Sequence, residues 1–347
     1  MYQIGDKLIG QNKDVYVIAE VGVNHNGDVE LAKSSIDAAK NAGADAVKFQ
    51  TWITEKLVAP DARQAAYQTV NTGREQTQFQ LLKSLELTQK NFRDLKQYAA
   101  DTGIEFLSTP DEEESADFLS DLGVSAFKIG SGEVTNIPFL KHLARKEKPL
   151  ILSTGMSTLG EVEDAINAIE NEGNTSIILL HCVSEYPANP MECNLRAIDT
   201  LKHSFKYPVG FSDHTLGMDI TIAAVAVGAC VVEKHLTINK KLDGPDHSLS
   251  LNPDEFKVMV DKIRLIESAL GNGRKIPSES EAKNKEVVQK SLVSSRAIRA
   301  GSIIEMADVV LLRASGGLPP NYMDIVVGKR LKRDMKCHET FDLNIIE

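Results

Sequence analysis

Polar and ionisable residues stand at nearly every point where a short apolar stretch of this 347-residue chain ends. An unpaired polar group inside a buried strand is unfavourable, so a purely structural scaffold would end its strands in apolar residues. The set as a whole therefore predicts a catalytic site. Its members are Glu20, Asn24, His25, Lys48, Gln50, Ser108, Thr109, Lys128, Ser131, Glu133, Ser153, Thr154, His181, Ser184, Ser212, Asp213, His214, Glu233, Lys234 and His235.

The first group within this set is cationic and rich in hydroxyls. Lys48 and Lys128 each stand among strand residues, and the hydroxyls of Thr109, Ser131, Ser153 and Ser212 stand at other strand ends. Lysine binds phosphate as a point charge. The group therefore predicts a site for a phosphate and a carboxylate, while a salt-bridged or snorkelling lysine is the structural alternative.

The second group is the pair His214 and His235, at the ends of the last two predicted strands of the repeat. Two imidazoles with oxygen ligands suit Mn²⁺, and Mg²⁺ less well. Glu20 or Glu233 would add a carboxylate or hold a ligating water. A hydrogen-bonded structural role is the alternative for each histidine.

Eight apolar runs alternate with amphipathic helical patterns between residues 15 and 271. Eight strand–helix units predict a (β/α)8 TIM barrel, whose active site lies at the carboxyl ends of the strands. An open doubly wound sheet is the alternative, but no GxGxxG turn follows the first strand. We expect a barrel domain over 1–271, a polar linker over 272–287 and a small β-rich domain over 288–347.

The connection between residues 51 and 90 is long, polar and weakly periodic. Long loops in compact domains are usually functional lids or disordered. This connection follows the second strand, so it would emerge beside the active site. Tyr67, Gln68 and Arg74 are therefore candidate lid residues, with solvated loop positions as the alternative.

The composition of the chain limits the classes of partner that the protein is expected to bind. A net charge of −10 argues against a nucleic-acid-binding surface or a polybasic membrane patch. No apolar run approaches the roughly 18 residues of a membrane span, and the first ten residues lack a secretory signal. None of the four cysteines has CxxC spacing. We expect a cytoplasmic enzyme that contacts neither nucleic acid nor membrane.

The chain resembles the N-acetylneuraminate (sialic acid) synthase family, which includes legionaminic acid synthases. Its C-terminal module resembles the antifreeze-like (SAF) domain that ends these enzymes. The matching stretches run collinearly over essentially the whole chain. They are AEVGVNHNG (19–27), VKFQT (47–51), FLSTP (106–110), KIGSGE (128–133), ILSTGM (151–156), LLHCVSEYP (179–187), GFSDHT (210–215), EKHLT (233–237) and DGPDH (243–247).

The resemblance implies condensation of phosphoenolpyruvate with an open-chain N-acylated hexosamine, with phosphate leaving by C–O cleavage. It implies a divalent metal, Mn²⁺ before Mg²⁺, on His214 and His235, and Glu20 and Glu133 as catalytic carboxylates. The implied phosphoenolpyruvate ligands are Lys48, Thr109, Lys128, Ser131, Ser153, Ser184 and Ser212. The implied sugar ligands are Glu20, Gln50, Tyr186, Asp246 and Arg313.

The resemblance further implies a domain-swapped homodimer, in which the SAF domain covers the partner's active site and presents Arg313 to the sugar. Three local departures from the family pattern border the predicted pockets. The stretch around Arg313 reads LRASGG (312–317), Asp111 stands where Phe is common, and Ser184 stands where some members have Asn.

Three functions remain open from the sequence. The first is an N-acetylneuraminate synthase that uses N-acetylmannosamine. The second is a legionaminic acid synthase that uses a 2,4-diacetamido-2,4,6-trideoxy-mannose. The third is a non-catalytic sugar-binding or assembly protein, which the polar strand ends disfavour because decay would return them to apolar residues.

Overall fold

The computed structural model describes residues 2–10 and 12–347 of the chain. The chain divides into two compact units, with the boundary in the sequence between Gly271 and Asn272. The first contains a short hairpin, eight parallel strands and their helices, and the second is small and built around one antiparallel strand pair.

The first unit is a TIM-like barrel, so the predicted (β/α)8 fold is confirmed. A hairpin of β1 (Tyr2–Ile4) and β2 (Lys7–Ile9) precedes it. The eight parallel strands are β3 (Tyr16–Gly22), β4 (Ala46–Thr51), β5 (Glu105–Pro110), β6 (Phe127–Ile129), β7 (Leu150–Ser153), β8 (Ile177–Cys182), β9 (Val209–Asp213) and β10 (Val231–His235). The strands lie in the order β5-β4-β3-β10-β9-β8-β7-β6. The two end strands of this order contact each other, although no hydrogen-bonded ladder joins them within the described residues.

Helices surround the strands, and most of them bury apolar residues against the strands. They are α1 (Val29–Asn41), α2 (Thr54–Leu57), α3 (Ala66–Thr72), α4 (Gln78–Leu85), α5 (Gln89–Thr102), α6 (Glu113–Leu122), α7 (Ile137–Ala144), α8 (Leu159–Glu170), α9 (Ala197–Phe205), α10 (Asp219–Ala226) and α11 (Pro253–Leu270). Gly103 and Gly123 end α5 and α6 in the left-handed conformation, which glycine adopts without strain. These tight ends return the chain directly into the next strand.

A second apolar cluster fills the barrel interior, and the hairpin takes part in it through Ile4 and Ile9. Both side chains are buried, at 1% and 4% exposure. Apolar packing therefore occupies one part of the barrel interior, and the polar residues gather at the carboxyl ends of the strands.

The connection between residues 51 and 90 contains the short helices α2, α3 and α4 rather than one irregular loop. Trp52, Leu81 and Leu85 pack with Val23 in a small apolar cluster. Asn71 Nδ2 of α3 donates to Pro245 O at 2.6 Å. The weak periodicity of the sequence concealed these helices because each spans only one or two turns.

The second unit contains α12 (Glu279–Val288), β11 (Lys290–Ser294), β12 (Val309–Arg313) and α13 (Met323–Val326). Strands β11 and β12 pair antiparallel. A compact core includes Leu292, Val326 and Phe341. The segment 272–287, which we expected to be a linker, holds most of α12. Across 2–10 and 12–347, no helix combines the length and apolar character that crossing a membrane requires.

Candidate active site

A cavity of about 320 Å³ opens at the carboxyl ends of the barrel strands. Its volume lies at the lower end of the range of small-molecule sites, roughly 300–1,000 Å³. Most of the residues predicted from the strand ends line it. They are Glu20, Lys48, Gln50, Thr109, Lys128, Ser131, Ser153, Ser184, Ser212, His214, Glu233 and His235, and Tyr186, which the resemblance implied as a sugar ligand, lines the cavity as well.

Strand alternation explains why these side chains converge. Successive residues of a strand point to opposite faces, so alternate residues share one side. Glu233 and His235 of β10 both line the cavity, and Lys48 and Gln50 of β4 do the same. The intervening Phe49 is buried in the apolar layer between strands and helices.

The two lysines occupy the buried base of the cavity. Lys48 Nζ lies 2.8 Å from Glu20 Oε2 and donates to Thr109 Oγ1 at 3.0 Å. Lys128 Nζ donates to Ser153 Oγ at 2.8 Å. Burial by itself lowers the pKa of Lys48, but Glu20 and Glu233 outweigh it and raise that pKa. Burial lowers the pKa of Lys128.

Glu233 lies between the two lysines without a short contact to either. Its Oε2 is 3.7 Å from Lys48 Nζ, and its Oε1 is 3.6 Å from Lys128 Nζ. Oε1 accepts from Ser212 Oγ at 2.9 Å, whereas Oε2 has no hydrogen-bond partner among the described residues. Burial opposes ionisation of Glu233, but the two lysines outweigh it and lower its pKa to about 2.

The pKa of Glu20 is shifted in the opposite direction from that of Glu233. Burial raises the pKa of Glu20 to about 7, against the attraction of Lys48. Gln50 Nε2 donates to its Oε1 at 3.0 Å. The cavity therefore holds one firmly ionised carboxylate and one whose proton is easily gained or lost, and such pairs are typical of acid–base sites.

His214 and His235 lie side by side, with ring centroids 5.8 Å apart. His214 Nδ1 is 2.7 Å from Val183 O, and a carbonyl only accepts, so the proton sits on Nδ1. The Nε2 lone pair lies 3.4 Å from Ser212 Oγ, whose proton goes to Glu233, and is therefore available to a metal. His235 Nδ1 is buried without a hydrogen-bond partner in the described chain. Burial lowers both pKa values, and His214 lowers that of His235 further.

Neutral imidazoles with an available lone pair fit a divalent metal. Within the described residues, no group of three or more His, Cys, Asp or Glu side chains is arranged to hold a metal. The protein would therefore supply two ligands, and the remaining ligands would come from substrate oxygens and water.

Ser131 and Ser184 contribute hydroxyl groups to the wall of the same cavity. Ser131 Oγ accepts from Gly155 N at 3.0 Å and lies 3.2 Å from Cys182 Sγ. A Cβ atom at Gly155 would collide with Ser131, Cys182 and Ser184. Glycine at this position therefore keeps the wall of the cavity close to its neighbours.

A side pocket of about 90 Å³ adjoins the cavity and shares Gln50, Tyr186 and His235 with it. Asp246 lines this pocket rather than the main cavity. Burial, and then the charge of Glu20, raise the pKa of Asp246 to about 7. Tyr67 and Gln68, the candidate lid residues, also line the side pocket.

Three predicted residues lie elsewhere. Glu133 follows Ser131 on a 3₁₀ turn beside the cavity and accepts from Asn136 Nδ2 at 2.6 Å, but it is not among the lining residues. Arg313 is exposed at the end of β12 in the second unit. Arg74 is exposed and lines neither pocket.

Other strand-end residues have structural partners. His247, in the loop after β10, is buried, with Nδ1 2.7 Å from Thr237 Oγ1 and Nε2 3.1 Å from Asn26 Oδ1. His25 Nδ1 accepts from Gly27 N in the loop after β3. His181 Nε2 lies 2.7 Å from Cys193 O.

Besides Gly130, Gly132 and Met156, two cavity residues with reactive or ionisable side chains were missing from the predicted set. Cys182 reads as a small apolar residue within a strand, yet it is the last residue of β8 and its sulfur faces Ser131. Asp111, noted only as a departure, also lines the cavity. Burial, and then Glu133, raise the pKa of Asp111 to about 7. Both residues lie at or just after a strand end. A prediction that gave this position more weight than the residue type would have identified them.

Comparison with known proteins agrees with the geometry. Residues 35–275 match the NeuB family, and residues 289–342 match the SAF domain. The chain is 45% identical to an N,N'-diacetyllegionaminic acid synthase of Legionella pneumophila, over 97% of this chain and 96% of that protein. It is 35% identical to the human N-acetylneuraminate-9-phosphate synthase, over 94% of this chain and 90% of that protein.

A solved structure of a sialic acid synthetase from Leptospira borgpetersenii, in complex with citrate, is also similar. It superposes with a TM-score of 0.73 at 36% identity, over 82% of this chain and 94% of that chain. The barrel, the arrangement of its strand-end residues and these matches agree, and the chain belongs to the NeuB family, with a SAF domain at its C-terminal end.

Proposed function

We propose that this protein is a nonulosonate synthase, a transferase that condenses phosphoenolpyruvate with an open-chain N-acylated hexosamine. With N-acetylmannosamine as acceptor, the products are N-acetylneuraminate and phosphate. The observation that carries the proposal is the cavity in which Lys48 and Lys128 lie beside His214 and His235. An anion site next to a paired-imidazole site suits these two substrates.

Phosphoenolpyruvate would bind at the lysine base of the cavity. Each ammonium has three donors, and the protein contacts leave donor capacity for a ligand. The hydroxyl groups would complete the anion site around phosphate and carboxylate. They belong to Thr109, Ser131, Ser153, Ser184 and Ser212.

The reaction joins C3 of phosphoenolpyruvate to the aldehyde carbon of the sugar. Water then adds to C2, and the bond between C2 and the bridging oxygen breaks, so phosphate leaves with that oxygen. Glu133 would orient the attacking water beside the cavity or accept the proton that this water loses as it adds to C2. Glu20, with its pKa near 7, can hold or release a proton next to the acceptor.

A divalent metal, Mn²⁺ before Mg²⁺, would be held by His214 and His235. Bound there, it would supply Lewis-acid polarisation of the aldehyde. The hydrogen bond from His214 Nδ1 to Val183 O keeps the ring in the tautomer and orientation that metal binding needs.

The acceptor would lie between Glu20, Gln50, Tyr186 and Asp246, at the junction of the cavity and the side pocket. A second acceptor, a 2,4-diacetamido-2,4,6-trideoxy-mannose, would make the protein a legionaminic acid synthase. The relatives named N,N'-diacetyllegionaminic acid synthase, at 45% identity in Legionella pneumophila and Campylobacter jejuni, favour this second candidate.

A homodimer in which each SAF domain covers the partner's cavity is part of the proposal, with Arg313 contacting the sugar. Substitution Arg313→Ala should then raise KM for the sugar and leave KM for phosphoenolpyruvate unchanged. Sedimentation of the full chain tests the assembly, and a monomer with full activity contradicts it.

The decisive experiment follows the bridging oxygen. The full chain is incubated with Mn²⁺, an acylamino mannose and phosphoenolpyruvate labelled with ¹⁸O at that position. We expect sugar-dependent phosphate carrying the label, seen as an isotope shift in ³¹P NMR, and loss of turnover with EDTA. Unlabelled phosphate would contradict C–O cleavage. Turnover of arabinose phosphates but of no acylamino sugar would contradict the proposed acceptor class, and no turnover of any sugar would favour the non-catalytic alternative.

A further inference from the structure

The ring of Tyr186 contacts both of the imidazoles that would hold the metal. Its centroid lies 4.2 Å from that of His214, with the two planes at 37°. It also meets His235 edge-on, with centroids 6.0 Å apart and planes at 88°. Aromatic rings attract each other at such separations, and close packing transmits small shifts. The position of Tyr186 therefore affects the orientation of both histidines.

The segment 183–188, which carries Tyr186, holds His214 at two further points. His214 Nδ1 donates to Val183 O at 2.7 Å. The backbone N–H of Ala188 donates to His214 O at 2.9 Å. The orientation of the His214 ring therefore depends on where this segment lies, and Tyr186 is the side chain of the segment that packs against that ring.

Tyr67 of α3 stacks on Tyr186 in turn. The two ring centroids are 5.0 Å apart and the planes are nearly parallel, at 23°. Both residues are half-buried. Among the described residues, the Tyr67 hydroxyl has one hydrogen-bond contact, 3.5 Å from Gln68 Nε2, which is too long for a strong bond. The ring rather than the hydroxyl is therefore the part of Tyr67 that connects α3 to the histidines.

Helix α3 depends on such contacts for its place in the fold. It has seven residues, and a helix this short is not stable by itself in water. Asn71 Nδ2 donates to Pro245 O at 2.6 Å, which attaches the helix to the loop after β10. The stack of Tyr67 on Tyr186 is a second attachment. A helix of the connection between residues 51 and 90 is thereby joined to the ring that packs on both histidines.

A metal site with few protein ligands is sensitive to the orientation of those ligands. Within the described residues, no third His, Cys, Asp or Glu side chain joins His214 and His235 in a group arranged to hold a metal. The affinity for a cation then depends on both imidazole lone pairs pointing at one position. Groups that orient metal ligands typically contribute about 10–100-fold to metal affinity.

We propose that Tyr67 is a positioning residue of the metal site: its stack on Tyr186 fixes the orientation of His214 and His235 and so raises the affinity of the site for a divalent cation. This inference rests on the metal site of the proposed function. A Tyr67 that served only as a wall of the side pocket or as a solvated loop residue would leave metal binding unchanged when no substrate is present. Because coupling between two parts of a protein is reciprocal, a bound cation should also stabilise α3.

The first test titrates Mn²⁺ into the full chain without substrates and measures free Mn²⁺ by electron paramagnetic resonance. Tyr67→Leu removes the ring and should raise the Kd for Mn²⁺ about tenfold. Tyr67→Phe keeps the ring, so its Kd should stay within about twofold of the parent value. The matched control is Tyr98→Leu, since Tyr98 is a half-buried tyrosine of α5 whose hydroxyl donates to Asp37, and its loss should not change the Kd.

The second test measures hydrogen exchange of the backbone amides of α3. Saturating Mn²⁺ should slow exchange in α3 of the parent chain by up to about tenfold, the same factor by which the stack raises Mn²⁺ affinity. In Tyr67→Leu the same addition should have little effect on α3, because the stack that couples the helix to the histidines is absent.

The outcomes distinguish the role of Tyr67 from the metal site on which it rests. A Kd of Tyr67→Leu equal to that of the parent overturns the inference, and so does an equal loss of affinity in Tyr67→Leu and in either Tyr67→Phe or Tyr98→Leu. Exchange in α3 of the parent that Mn²⁺ leaves unchanged overturns it as well. If the parent does not bind Mn²⁺, or if His235→Ala binds it as tightly as the parent, the proposed metal site itself fails and the role of Tyr67 fails with it.

Discussion

Consecutive residues of β9 and β10 belong to two different charged networks. Ser212 of β9 and Glu233 and His235 of β10 line the cavity. Their sequence neighbours Asp213 and Lys234 do not line it and instead form an ion pair with each other. We call the first group, with Glu20, Lys48 and Lys128, the cavity network, and the second group, with Thr215 and Thr221, the rear network. Both are buried, and in both a lysine is paired with a carboxylate.

The rear network is fully paired. Lys234 Nζ contacts Asp213 Oδ2 at 2.9 Å and Thr215 O at 2.5 Å. Asp213 Oδ1 accepts from the backbone and side chain of Thr215, and its Oδ2 also accepts from Thr221. These bonds tie together the ends of the two strands that carry the histidines.

The cavity network is incompletely paired. Glu233 lies 3.6–3.7 Å from both lysines, and buried atoms of Glu233 and His235 have no partner in the described chain. Such gaps in a buried network are unfavourable unless a ligand fills them. Both networks contain the same residue types. What distinguishes the structural ion pair from the binding site is whether every buried polar atom has a hydrogen-bond or ionic partner.

The largest expected effect is on the cavity network. Lys128→Met should lower kcat/KM for phosphoenolpyruvate by about 10³-fold, the upper end of what one electrostatic contact supplies. Urea unfolding should show the free energy of unfolding changed by less than about 1 kcal/mol, because burial disfavours the charge of Lys128 and Glu233 retains Lys48 at 3.7 Å. Activity within tenfold of the parent would remove Lys128 from the site.

The rear network should respond in the opposite way. Lys234→Met leaves Asp213 buried and unpaired, which lowers the free energy of unfolding by about 3 kcal/mol in urea titration. Lys90→Met is the control, since Lys90 is 81% exposed and its loss should change stability by less than about 0.5 kcal/mol. Equal effects of the two substitutions would contradict the assignment.

A bound ligand should supply the missing hydrogen-bond and ionic partners of the cavity network and should leave the rear network unchanged. Phosphoenolpyruvate at about 100 times its Kd should raise the free energy of unfolding by about 2.7 kcal/mol, measured from urea curves with and without ligand. The stabilisation should persist in a folded rear-network variant such as Thr221→Ser and disappear in Lys128→Met. Stabilisation that survives Lys128→Met would place the anion elsewhere.

The smallest expected effect is the contribution of Asp246 to the change in the free energy of unfolding between pH 6 and pH 8. Its folded-state pKa of about 7 lies above the unfolded value near 3.8, so between these values only the folded chain retains the proton. Stability therefore falls as pH rises across this window, by about 1 kcal/mol between pH 6 and pH 8, and levels off above it. Asp246→Asn should lose about 1 kcal/mol less than the parent over this pH range, because Glu20 and Asp111, whose pKa values are also about 7, still contribute their own share. Parallel pH profiles for parent and variant would show that another group is responsible.

Much of the fold was predictable from the sequence, because eight apolar runs alternating with amphipathic segments allow few other arrangements. The convergence of Lys48, Lys128, His214 and His235 followed from their places at strand ends. The short helices α2–α4 were not predictable, since one or two turns leave little periodic pattern. Cys182 was overlooked because a cysteine in an apolar run is usually a packing residue.

By itself, the sequence determined the barrel, the end of the barrel that carries polar residues and the resemblance to a synthase family. Strand alternation and local apolar pattern are properties of neighbouring residues, so they can be read along the chain. Only the tertiary structure decided that Glu233 stays loosely held while Asp213 and Lys234 pair fully, and that α4 and Asp246 form one side pocket. Those distinctions depend on distances between residues far apart in sequence, and a difference of about 1 Å between two charges decides whether a group is satisfied or available for a ligand.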